Sequence, residues 1–104
     1  MISVDNIDGL CQVRIAGEMT VYSAPDTRLA LQQCLAQCAA LEIDLSGVSE
    51  VDSTSVQLLI QAKREGGRLG KPVSFVAHSP AVQEIIDLYR LGAEFGDPIL
   101  ISSP

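Results

Sequence analysis

The chain has 104 residues, 47% of them hydrophobic and 19% charged, and a formal net charge of −6. That length supports one hydrophobic core but not two, and the apolar fraction argues against disorder. The acidic balance disfavours surfaces that hold DNA, RNA or anionic lipid.

Ile2 and Val4 alternate with polar neighbours, as do Cys11, Val13 and Ile15, and Asp8-Gly9 stands between the two runs. Period two on either side of an Asp-Gly step predicts a hairpin whose tight turn uses glycine at positive φ. Gly17-Glu18-Met19-Thr20 ends the second strand. Ser23-Ala24-Pro25-Asp26 then has the form of a capping-box-like helix entry, with proline tolerated in the first turn. Leu31, Cys34, Leu35 and Cys38 follow at helical spacing and make one apolar stripe.

Leu41, Ile43 and Leu45 return to period two, with Glu42 and Asp44 on the other face. A tight turn is expected between this strand and Asp52. A second helix should run over 54–68, burying Val56, Leu58, Leu59, Ile60 and Ala62, with Gly70 to terminate it. Lys71-Pro72 leads into a strand at Val73-Ser74-Phe75-Val76. The third helix opens with Ser79 as cap and Pro80 in first position. Its buried stripe is Val82, Ile85, Ile86 and Tyr89, and Gly92 fits its stop. Asp97-Pro98 reads as a turn, Ile99-Leu100-Ile101 as a short last strand, and Ser102-Ser103-Pro104 as a frayed end.

This order describes one α/β domain over 1–104, without an internal repeat, linker or low-complexity segment. It implies a mixed four- to five-stranded sheet with an N-terminal antiparallel hairpin. The remaining strands run parallel through right-handed helical crossovers, and the helices lie mainly on one face.

The chemistry is concentrated at Asp52-Ser53-Thr54-Ser55. A helix N-terminus is electropositive and carries unsatisfied N–H groups, so it suits an anion, and a serine there can carry a phosphate. Ordinary capping accounts for the same residues, because Asp, Ser and Thr are the preferred caps. Spacing does not separate the two, since a phosphoacceptor at this place is also a cap.

Other candidates reduce to structure. Lys63, Arg64, Arg68 and Lys71 cluster where cations oppose a helix macrodipole, an ordinary stabilising placement rather than a nucleotide site. Cys34 and Cys38 stand one turn apart but within an apolar stripe, and no further ligand completes a metal set. Three cysteines cannot all pair, there is no CxxC, and a reduced, cytoplasmic protein is the default. His78, the only histidine, is expected in an exposed loop. With no Gly-x-Ser-x-Gly elbow, and with Gly66-Gly67 outside any phosphate-loop context, no catalytic residue, cofactor or metal is assigned. Met1-Ile2-Ser3-Val4-Asp5 lacks the regions of a secretory leader, and no apolar run approaches a membrane span.

Ile43-Asp44-Leu45-Ser46-Gly47-Val48 followed by Val51-Asp52-Ser53-Thr54 resembles the signature of the STAS domain, the family of bacterial anti-sigma-factor antagonists. Gly17-Glu18-Met19-Thr20 is similar to that family's Gly-Glu-hydrophobic-Asp turn, and the order of elements agrees over nearly the whole chain. The resemblance implies that Ser53, directly after the Asp, is the phosphoacceptor. It also implies that the protein is a non-enzymatic regulator that binds a serine kinase or anti-sigma factor in its unphosphorylated form. The partner face would comprise Asp52, Ser53, Thr54, Ser55, Glu18 and Thr20, on a monomer or weak dimer. Ser55 departs from the family, which usually has Gly there; a side chain at that place could crowd a kinase or itself be modified. Two further roles fit a domain of this kind: an adaptor in a chemosensory or other two-component system, and a small cytosolic subunit of a membrane lipid ABC transporter.

Overall fold

Asp8 and Gly9 both take positive φ, +51° and +90°, the two left-handed residues that a tight hairpin turn requires. They join β1 (Ile2–Ile7) to β2 (Leu10–Met19) in an antiparallel pair with Val4 opposite Val13, as the alternation predicts. These features belong to a computed structural model, which describes residues 1–92 and 100–101. After β2 the chain alternates: α1 (Ala24–Gln37), β3 (Ala40–Val51), α2 (Ser53–Arg68), β4 (Val73–His78), α3 (Pro80–Leu88) and β5 (Leu100–Ile101). The sheet has the order β1-β2-β3-β4-β5, and β2–β3, β3–β4 and β4–β5 are parallel. The expected turn at Asp97-Pro98, the start of the last strand at Ile99 and the tail 102–104 lie outside the described residues.

Period two decides which face is dry. Cys11, Val13 and Ile15 of β2, Leu41, Ile43 and Leu45 of β3, and Val73 and Phe75 of β4 are buried. Leu31 and Leu35 of α1, Val56, Leu59 and Ile60 of α2, and Val82 and Ile86 of α3 join them in one cluster. Each such side chain contributes roughly 1.5–3 kcal/mol through removal from water. The alternate residues Gln12 and Arg14 are exposed and Glu42 and Asp44 half-buried, so the other face of the sheet is polar and open.

Several expectations are corrected. No tight turn follows Leu45: β3 runs on to Val51, and a bulge at Ser46–Gly47 takes the place of the turn. The Asp44 carboxylate accepts the Ser46 amide at 2.8 Å, which stabilises the extra residue locally. Ser23 caps by position only. Its hydroxyl donates to the carbonyls of Glu18 and Thr20 and accepts the Thr20 amide, tying α1 to the end of β2 instead of closing a capping box. Tyr89 is exposed, and α3 ends at Leu88 with Arg90 at φ +55°, ahead of Gly92. His78 is fully buried at the end of β4, its ring 6.3 Å from that of Phe75, because β4 extends two residues beyond the Val73–Val76 run. Cys11 of β2 and Cys38, the residue that ends α1, stand together as a disulfide pair, where unpaired cysteines were expected; Cys34 remains a buried thiol.

Among the clustered cations, Lys63, Arg68 and Lys71 have partners within the fold. Arg68 pairs with Glu65 one turn back, Lys63 lies 5.5 Å from the centre of the Phe75 ring, and the Lys71 ammonium donates to the Leu35 carbonyl in the last turn of α1. Gly66 has a packing reason: a Cβ there would lie 2.4 Å from Cγ2 of Val73 and 2.6 Å from the Lys71 carbonyl oxygen. Only glycine lets α2 approach the start of β4 so closely.

Candidate functional site

The site is the junction where β3 hands over to α2, flanked by the loop between β2 and α1. Asp52 is extended (φ −111°, ψ 173°), the conformation of an N-cap, and its side chain works in two directions. One carboxylate oxygen, Oδ1, accepts the Ser55 amide at 2.9 Å and so caps α2. The other, Oδ2, accepts the Val21 amide at 2.7 Å and pins the β2–α1 loop against the helix start. The Asp52 amide donates to the Met19 carbonyl at 3.2 Å, continuing the β2–β3 pairing up to the cap. Burial resists ionisation of Asp52. The Ser55 and Val21 amides and the Ser55 hydroxyl outweigh it, holding the carboxyl below the usual aspartate range.

This arrangement sorts the hydroxyls. Ser53 and Thr54, the first residues of α2, are exposed; Ser55 is buried, 2% accessible, with its hydroxyl bonded to the Asp52 carboxylate. Helix geometry turns Ser55 inward beneath the cap while Ser53 faces outward on the first turn. Ser55 therefore neither crowds the outer surface nor offers a hydroxyl to a modifying enzyme in the folded state.

Of the other predicted site residues, Glu18 is exposed beside this junction and pairs across the sheet with Glu50, also exposed. Two carboxylates thus stand opposite each other near the mouth of α2. Thr20 is half-buried, and its hydroxyl accepts the Tyr22 amide at 3.4 Å, so it shapes the loop rather than presenting itself. Asp52, Ser53, Thr54, Glu18 and Thr20 therefore share one rim, with Ser55 as its inner support. Val21 and Tyr22, which were not among the predicted residues, lie in the loop that Asp52 pins. Tyr22 is 92% exposed at the loop tip and Val21 is exposed beside it. An apolar pair between a strand end and a helix cap, outside either apolar stripe, was the available signal.

Among the described residues no group of three or more His, Cys, Asp or Glu side chains could hold a metal ion, and no helix is long and apolar enough to cross a membrane.

A family model described as "Mlab, STAS domain" matches residues 2–101. The anti-sigma-B factor antagonist of Bacillus subtilis (strain 168) is 44% identical over 62 residues, 56% of this chain and 57% of that protein. The chain thus spans less than two thirds of that curated relative's length. Among solved structures, an anti-sigma factor antagonist from Mycobacterium paratuberculosis superposes with a TM-score of 0.82 at 29% identity, covering 95% of this chain and 83% of the other. The Bacillus cell fate determinant SpoIIAA in its phosphorylated form superposes with a TM-score of 0.74 at 14% identity, covering 99% and 92%. At that identity the last likeness is one of fold.

Proposed function

The chain belongs to the STAS domain family, and we propose that it is a non-enzymatic regulatory module of the anti-sigma-factor-antagonist type. It binds a serine kinase or anti-sigma factor through the rim of Asp52, Ser53, Thr54, Glu18 and Thr20, and reversible phosphorylation of Ser53 switches that binding. The similarity to anti-sigma factor antagonists supports the class of partner. The observation that carries the switch is the sorting of hydroxyls: Ser53 is outermost at the electropositive start of α2, while Ser55 is consumed in the cap.

The switch follows from charge. Phosphoserine adds about −1.5 to −2 charges at neutral pH. The N-terminus of α2 stabilises that charge locally, so the domain stays folded. The phosphate joins Asp52, Glu18 and Glu50 on one rim, so a partner that buries Ser53 against apolar or acidic groups is expelled by repulsion and desolvation. The mechanism is occlusion and repulsion rather than refolding.

Intact-mass analysis with site mapping on protein isolated from its native cell tests this. A phosphate on Ser53 is expected. Its consistent absence under varied growth would turn the reading toward a phosphorylation-indifferent adaptor or transporter subunit. Ser53→Asp should weaken binding to the serine kinase by tenfold or more, equivalent to about 1.4 kcal/mol; unchanged affinity would sink the switch.

A further inference from the structure

The Ser53 rim leaves the cysteines unexplained, and they are placed in a way that packing alone does not require. Cys11 lies near the start of β2, paired with Asn6 on one side and Leu41 on the other. Cys38 is the residue immediately after α1, extended at φ −112°, ψ 160°, with its amide closing the helix on the Cys34 carbonyl. The two come from different elements, 27 positions apart, with Cα atoms 5.9 Å apart, within the separation that a disulfide spans without backbone movement. The adjoining turn is tied down as well: the amides of Ala39 and Ala40 donate to the Gly9 carbonyl at 2.7 and 3.3 Å. Cys34, one turn earlier on the same stripe, stays outside the bond.

We propose that Cys11 and Cys38 form a reversible dithiol–disulfide couple, a redox-set fastening of the α1 C-terminus to β2. The oxidant is a low-molecular-weight disulfide of the glutathione class. The Cys38 thiolate attacks one sulfur of that disulfide, forming a mixed disulfide and releasing the first small thiolate. The Cys11 thiolate then displaces the second from Cys38. One disulfide breaks and one forms; two electrons pass to the small molecule, which leaves as two thiols carrying the two protons of the cysteines. Cys38 and Cys11 are both buried when folded, so exchange needs local opening. Cys38 is the entry point because it stands just past the last helical turn, between exposed Gln37 and Ala39, where opening exposes it before a residue held between two strands. Cys11 is held between two strands and becomes accessible only to its neighbour. Cys34 is a poor competitor, because it stands a full turn inside α1, away from the end of the helix, and burial pushes its thiol pKa up.

The closed loop contains all of β2 after Cys11, the Gly17–Tyr22 segment and α1, so the bond constrains the unit that carries Glu18, Thr20 and Tyr22. Oxidation limits the freedom of that unit in the unfolded chain and should raise the thermal midpoint by roughly 10 °C. The inference goes beyond the Ser53 reading and stands or falls without it.

The test equilibrates the whole protein with mixtures of reduced and oxidised glutathione, traps thiols with an alkylating agent under denaturing conditions, and maps them by mass. Oxidising mixtures should give a species lighter by two hydrogens, with Cys34 alone alkylated and Cys11 linked to Cys38; excess reduced glutathione should restore three alkylated cysteines and lower the midpoint. Cys34→Ala should keep the transition and Cys38→Ala should abolish it. A bond that survives excess reduced glutathione, a stable glutathione adduct in place of the link, or a link that includes Cys34 would each overturn the proposal.

Discussion

At the scale of single residues, Asp52 does the most. Its two carboxylate oxygens hold two different segments, the first turn of α2 through Ser55 and the β2–α1 loop through Val21. Asp52→Ala removes both and should cost about 1–2 kcal/mol, measured by urea denaturation at neutral pH, since loss of a capping side chain alone costs that much. Asp52→Asn keeps a capping oxygen but has only one acceptor, so it should fall between wild type and alanine. In a hydrogen-exchange experiment either Val21 or Ser55 should lose protection in the asparagine variant; protection of both would show that the carboxylate does not bridge. That an Asp-Ser step caps a helix was readable from residue type. That the same carboxylate reaches Val21, 31 positions earlier, was not, because only the β2–β3 pairing brings those segments together.

At the scale of elements, α2 connects the rim to the core. Its apolar positions, Val56, Leu58, Leu59, Ile60 and Ala62, follow the helical period and are all buried, so its face was legible from spacing. Its far end was not. Gly66 was read only as lying outside any phosphate-loop context, yet it is the point where α2 passes over the start of β4. Gly66→Ala gains helix propensity of up to about 1 kcal/mol but forces Val73 and the Lys71 carbonyl aside, an overpacking cost of about 1–3 kcal/mol. The expected outcome is net destabilisation and a lowered denaturation midpoint; a stabilised variant would show that the contact relaxes without strain. Gly67 has open space around it, so the same substitution there should be neutral or stabilising. The bulge in β3 belongs to this scale too. Ser46-Gly47 has the composition of a turn, and pairing with β2 on both sides of it overrides that local preference.

At the scale of the molecule, the response to acid follows from two carboxylates. Burial disfavours the charged forms of both Asp52 and Asp44. Hydrogen bonds from Ser55 and Val21 in the first case, and from Ser46 with the Arg14 charge in the second, prevail and depress their pKa values. A group whose pKa is lower in the folded state adds stability that is fully present above its unfolded value, about 3.9 for aspartate, and is lost as pH falls through the folded value. The midpoint of thermal unfolding should therefore hold steady down to about pH 5 and decline below about pH 4, less steeply in Asp52→Asn. A wild-type decline of the same steepness as the variant's would remove Asp52 from the account. Alternating periods and turn residues in the sequence by themselves determined the element order, the hairpin, the parallel sheet and its dry face, because those signals are local and repeat along the chain. The family signature at Ile43–Thr54 pointed to Ser53 as the residue to watch. Only the tertiary structure decided that the Asp52 carboxylate reaches Val21, that His78 is buried and that Cys11 meets Cys38. Each of these depends on contacts between segments distant in sequence, and such contacts exist only once the sheet has assembled.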